Sequence, residues 1–318
     1  MRKQQALGIL AAAALLAGGF FFINRQETKE TLRVNSTSSC MMQMYALDKQ
    51  DTLIPLSIPC EEKDHMKKRL QQLVAKMSKK QGEGLLPVFA KDTKLEDAVL
   101  VDQTLTLQFN EAFLNYEKEH ELRVLEAIAW LGTQFEGVAQ VQIAIGDDTL
   151  QTMPNGTPIP AVLNRKIGIN NFLTSTSALH DSDAMTVFYT KEVMDKTFYV
   201  PKTKRVSANL SDVDAYIDAI LADVSVNSSL KQPLAQEKVK TTAASVMREN
   251  VLQVHLDNRI LAEDQTAKKQ AYETLILSLC MLDHVEQVQV LVDDVAVTLH
   301  GMNDRSCSAA ELIYNEIE

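Results

Sequence analysis

Apolar residues alternate along Thr104–Phe109, where Leu105, Leu107 and Phe109 fall on one side of an extended chain. About 147 residues later Val251–Leu256 repeats the alternation, with Leu252, Val254 and Leu256 in register. Such a period of two predicts a strand with one covered face. Further on the period lengthens to that of a helix. Leu125, Ile128, Leu131 and Phe135 recur at steps of three or four, and Tyr272, Leu275, Leu279 and Leu282 repeat the stripe. A stripe of this kind packs a helix onto a sheet and reads as core, not as a cofactor site. Trp130 and Leu277 hold equivalent places towards its edge. A further strand closes each unit. In "GVAQVQIAIGD" and "HVEQVQVLVDD" the residues Val138, Val141, Ile143 and Ile145 match Val285, Val288, Val290 and Val292. No gap is needed from Leu105 to Asp147, so the phrase marks a duplicated domain.

The upstream halves match less tightly. "MMQMYALDKQDTLIPLSI" and "AMTVFYTKEVMDKTFYVPKT" both read as strand, turn, strand, with Tyr45 against Tyr189 and Pro55 against Pro201. A helix follows each, carrying Leu70, Leu73 and Met77 in one and Tyr216, Ile220 and Val224 in the other. Each copy is therefore β-β-α-β-β-α-β, an α+β unit whose small mixed or antiparallel sheet packs two helices on one face. Between the copies "TMPNGTPIP" predicts turns. Ile167 and Ile169 suggest one short strand docking back on the first domain. The expected organisation is a first domain over 40–165, a linker over 166–183, a second domain over 184–302, and a tail over 303–318 with a short helix in "AAELIYNEIE".

The N-terminus changes the picture. Residues 1–5 carry Arg2 and Lys3, and 6–23 form an uncharged apolar run. As a helix this run would span about 27 Å, close to the hydrocarbon thickness of a bilayer. We expect a transmembrane signal-anchor helix over 6–23, with 1–5 in the cytoplasm, a stalk over 24–39 and both domains outside; a cleaved signal peptide is the alternative. No cysteine closely follows the run to accept a lipid. The net charge of −10 argues against a nucleic-acid partner. No C-x-x-C pair exists among Cys40, Cys60, Cys280 and Cys307. Cys280 falls in an apolar helical pattern, where a buried thiol is the default. Cys40 and Cys60 flank the "DKQD" turn symmetrically, as cross-strand neighbours do, and an outside location permits a disulfide.

Catalytic chemistry is not evident. His65, His120, His180, His255, His284 and His300 form no metal spacing, and His255 sits on the strand face opposite the apolar one. No nucleophile elbow, zinc-protease helix or phosphate loop occurs. The acidic runs "EKEHE" and "DDT" read as solvated surface. No catalytic, cofactor-binding or metal residue is assigned, no cofactor is expected, and we expect no enzyme.

The order of elements nonetheless resembles a known family. A tyrosine-bearing hairpin and a helix precede the proline-led "PVFAKDTKL"; then come a strand ending in "QFNEAFL" and a helix closing on "TQFEGVAQVQIAIGD". This order is similar to the GerM domain of sporulation and germination proteins. The first copy, about 40 to 150, carries the resemblance; in the second, about 184 to 300, Gly137 becomes His284 and Thr133-Gln134-Phe135 becomes Cys280-Met281-Leu282. The resemblance implies a tandem-GerM protein of a spore former. Its domains would lie outside the cytoplasmic membrane, with a fold related to ring-building modules. Partners would be envelope and sporulation proteins, including ring-forming ones, or further copies of the chain. The expected role is assembly or scaffolding; binding or regulation at peptidoglycan is the alternative.

Overall fold

The computed structural model describes residues 40–61, 63–171, 182–207, 212–223, 229–309, 312 and 314–317. The apolar run 6–23, the stalk 24–39 and His180 lie outside them. Among the described residues no helix is long and apolar enough to cross a membrane.

The first copy opens with an antiparallel hairpin, β1 (Met41–Leu47) and β2 (Leu53–Pro59). Its turn is set by Asp48, whose Oδ1 accepts from the backbone N–H groups of Gln50 and Thr52, both at 2.9 Å. Cys40 and Cys60 form a disulfide across the open end of the hairpin. Helix α1 (Met66–Met77) buries Leu70, Leu73, Val74 and Met77. Strands β3 (Leu95–Val101) and β4 (Thr104–Phe109) follow. Asp102 and Gln103 join them with φ of 46° and 63°, the left-handed pair that a two-residue hairpin turn requires. Helix α2 (Glu121–Gly132) then crosses over to β5 (Gln140–Ile145), which lies parallel to β4, and β6 (Asp148–Thr149) closes the sheet in the order β3-β4-β5-β6.

The second copy repeats this plan. Its hairpin is β7 (Ser182–Val193) and β8 (Lys196–Ser207), followed by α3 (Val213–Leu221). The short β9 (Leu230–Lys231) adds to β7, and α4 (Pro233–Glu237) begins on a proline, where no donor is lost. The second four-stranded sheet has the order β10 (Val246–Arg248), β11 (Val251–His255), β12 (Gln287–Val292), β13 (Val295–Val297), with α5 (Lys269–Leu279) linking the parallel pair β11 and β12. The α+β class and the duplicated order hold. Each copy differs from the expected single sheet by dividing into a hairpin and a separate mixed sheet. The crossover helix accounts for this, since α2 contacts both β1 and β5, and α5 contacts both β7 and β12. Sandwiched in this way, α2 is buried on every side from Val124 to Gly132, and α5 from Ala271 to Leu279. Gly132 permits the close approach to β5: a Cβ there would stand 2.5 Å from Val141 Cγ2.

The two copies meet through β2 and β8. Both are outer strands of their hairpins, and each carries a central proline, Pro55 or Pro201, that cannot donate to a neighbouring ladder. Two asparagine side chains supply the missing bonds. Asn170 Oδ1 accepts from the Leu53 N–H at 2.7 Å, while its Nδ2 donates to Leu53 O and to Pro201 O, both at 2.8 Å. Asn315 mirrors this. Its Oδ1 accepts from the Tyr199 N–H, and its Nδ2 donates to Tyr199 O and Pro55 O, all at 2.7 Å. Each amide stands where a peptide group of a joining strand would stand, with one acceptor and two donors. Both residues hold positive φ, 51° and 54°, a region that asparagine tolerates better than most residues.

Several expectations are corrected here. Residues Arg165–Ile167 form a 3₁₀ turn and not a strand, and Ile169 docks on the second copy as well as the first: its N–H donates to Thr203 Oγ1 at 3.0 Å. Gly168, Ile169 and Asn170 are buried at the junction, so this part of the presumed linker is core. The described residues of the tail form no helix; Cys307 bridges Val288, and Glu316 pairs with Ser57 of the first copy. The acidic run "EKEHE" is not solvated throughout, because Glu121 is buried. Cys280 caps the end of α5 and is half-buried.

Candidate interaction surfaces

Among the described residues the outer edge of each four-stranded sheet is largely uncovered. In the first copy α1 shields only the start of β3. The Gln71 amide donates to Leu95 O at 3.1 Å and Lys67 pairs with Asp97 at 2.9 Å. Beyond that point Val99, Leu100 and Val101 are 49%, 37% and 60% exposed. Cross-strand register puts Val99 beside Thr106 and Gln142, and Val101 beside Thr104 and Gln140. The outer face is thus an uncharged strip of valine, threonine and glutamine. The second copy aligns with it in register, with Val246 beside Gln253 and Gln289, but there Arg248, beside Val251 and Gln287, puts a charge where Val101 stands. Val246 and Met247 are exposed there. An open strand edge with apolar side chains is a template for pairing with another chain.

A second feature lies between the copies. A cleft of about 560 Å³ has walls from both hairpins, from the end of α2 and from Asn164–Lys166. Trp130 lies in it, with its indole N–H donating to Gly168 O at 3.0 Å. The Arg165 guanidinium sits 4.8 Å from the Trp130 ring centroid, and its Nε donates to Thr133 Oγ1 at 3.2 Å. The Tyr45 hydroxyl on this wall is buried without a hydrogen-bond partner among the described residues, and burial raises its pKa.

Other ionisable groups are engaged in structure. Lys191 of β7 is 2% exposed and reaches the first copy's turn, pairing with Asp48 and donating to Thr52 Oγ1 at 2.7 Å. Glu126 is pushed up to about 6 by burial, against the pull of Arg123 and of the Asn170 and Asn171 N–H groups. Burial acts on Glu121 in the same sense, yet donors from Thr157, Asn155 and Tyr116 outweigh it and hold the carboxyl at about 2. An acid whose folded pKa lies below its unfolded one stabilises above the unfolded value and loses that contribution as pH falls. Glu121 should therefore contribute up to about 3 kcal/mol near neutrality, lost between pH 4.5 and 2. Glu121→Gln is expected to flatten that part of the stability profile in urea melts at stepped pH. Glu126 acts with the opposite sign, so its ionisation weakens the fold as pH rises from 4.5 to 6.

The histidines are scattered. His120 pairs with Asp51 at 2.7 Å, half-buried His255 lies 3.5 Å from Asp294, and His300 lies 3.4 Å from Asp264. His65 precedes α1, and His284 is exposed in a turn. No group of three or more histidine, cysteine or acidic residues that could hold a metal occurs among the described residues.

Fold and surfaces define a duplicated α+β protein whose copies are joined back to back through their hairpins. Residues 43–151 match the Germane family, described as sporulation and spore germination. The spore germination protein GerM of Bacillus subtilis (strain 168) is 27% identical over 277 residues, covering 84% of this chain and 75% of that protein. The solved structure of the tandem GerMN domains of the sporulation protein GerM from Bacillus subtilis superposes with a TM-score of 0.70. At 24% identity it covers 82% of this chain and 97% of that one. The structure of the first GerMN domain of that protein is 26% identical over 40% of this chain, with a TM-score of 0.36. Residues 43–151 thus carry a Germane-type domain, and the chain as a whole is similar in sequence to GerM and in fold to its tandem GerMN domains.

Proposed function

We propose that the protein is a non-enzymatic assembly component of sporulation or spore germination, anchored in the cell membrane through residues 6–23 with both domains on the extracytoplasmic side. Its partners are envelope proteins or further copies of the chain. The observation that carries this reading is the repeated open edge: β3 and β10 occupy the same place in each copy and expose apolar side chains. Two such edges on one tether give a multivalent surface, in which the first contact raises the effective concentration for the second. The spore-germination role of the Bacillus subtilis relative supports the cellular context.

The test is a mass measurement by light scattering on the full-length chain, combined with capture of envelope proteins from sporulating cells. Val99→Glu with Val101→Glu is expected to abolish the assembly. It should change stability by no more than about 0.5 kcal/mol per site, since both side chains are exposed. Wild-type protein that stays monomeric at high concentration and captures no envelope partner would sink the proposal. So would a double variant that assembles as the wild type does.

A further inference from the structure

We infer that the cleft between the two copies is a binding site for a small monocarboxylate carried on a ring or apolar body, of the size of an amino sugar or a dipeptide. This goes beyond the assembly role and uses a different surface. The charge there runs against that of the whole chain, which is −10. Arg165 and Lys166 stand on the cleft wall, opposed by Asp283 alone among the described charged residues lining it. Neither cation is in an ion pair among the described residues. Among the described residues, two cations and one carboxylate leave one positive charge, which a monoanion balances.

The geometry is set before any ligand arrives. The Trp130 ring beneath the Arg165 guanidinium, and the Thr133 hydroxyl accepting from its Nε, together fix its position. The two terminal nitrogens remain for a forked contact with a carboxylate. The hydroxyl of Tyr45 is buried on the same wall with no partner among the described residues, a costly state that an acceptor or hydroxyl of a ligand would relieve. Phe188, stacked edge-on to Tyr314 at 5.8 Å between centroids, adds apolar wall from the second copy. A volume near 560 Å³ falls within the range of small-molecule sites.

Trp130 is the only tryptophan in the chain, so tryptophan emission, excited at wavelengths the tyrosines do not absorb, reports on this cleft alone. The full-length chain is titrated with N-acetylmuramic acid, N-acetylphenylalanine, N-acetylglucosamine and inorganic phosphate, with calorimetry in parallel. Both carboxylates should give saturable changes, and the uncharged sugar should give none. The tighter carboxylate identifies a wall sugar or a peptide C-terminus as the source. Arg165→Gln is expected to weaken binding about tenfold or more through loss of the fork. Lys166→Ser, at an exposed position, should weaken it less while leaving the thermal midpoint unchanged. The inference is overturned if neither carboxylate saturates at millimolar concentration, or if N-acetylglucosamine binds equally well. Tighter binding of phosphate, or full binding by Arg165→Gln, would overturn it too.

Discussion

Lys191→Met is expected to lower the free energy of unfolding by about 3–5 kcal/mol, the usual effect of removing one partner from a buried ion pair. Lys191 belongs to the second copy and Asp48 to the first, and their side chains are 2% and 6% exposed. Removing the ammonium leaves the Asp48 carboxylate buried, still held by the Gln50 and Thr52 N–H groups but facing an apolar side chain. Thr52 Oγ1 loses its donor at the same time. The double variant Asp48→Asn with Lys191→Met should recover most of the loss, because an asparagine oxygen can still accept from both turn amides without carrying charge. Urea denaturation of the two single variants and the double variant checks this. Additive losses would show that the pair is not coupled.

Asn170→Ala is expected to cost about 3 kcal/mol. Three bonds vanish, and the Leu53 N–H, Leu53 O and Pro201 O are left buried without this partner. Each such orphan typically costs about 1–3 kcal/mol. Alanine also tolerates φ of 51° less well than asparagine. Asn170→Gly relieves the backbone but not the bonds, so its loss should be only slightly smaller. Asn315→Ala should follow the same pattern with a smaller loss, since its contacts are only partly buried. Urea melts of the three variants rank them. Near-zero effects would mean that the amides do not join the strands.

The periodic elements were legible in the sequence because each buries one face. The alternation at Leu105, Leu107 and Phe109 and the stripe at Leu125, Ile128 and Leu131 reflect contacts within one copy, which local period encodes. The symmetric flanking of the turn by Cys40 and Cys60 likewise pointed to their disulfide. Contacts between copies leave no such period. Glu121, in the run "EKEHE", reads as solvated, yet it is buried and accepts from the N–H groups of Asn155 and Thr157, far along the chain. Asn170 and Asn315 were missed since one lies in a stretch resembling a linker and the other in a stretch resembling a helix. A signal exists all the same: in the segment after each copy an asparagine follows a buried apolar residue, Ile169 or Tyr314. Arg165 was passed over because it looks like an ordinary surface cation until Trp130 is seen beneath it. The open edges at Val99–Val101 and Val246–Met247 needed the strand order, which pattern alone does not give.

The cleft and the asparagine bonds between β2 and β8 both require the two copies to be a single cooperative body. Native-state hydrogen exchange under rising urea addresses this most directly, by following the Leu53 and Tyr199 amides, the donors to Asn170 and Asn315. Both amides should exchange only through global opening and lose protection at the same urea concentration. Independent loss at well-separated concentrations would contradict a joined pair of copies.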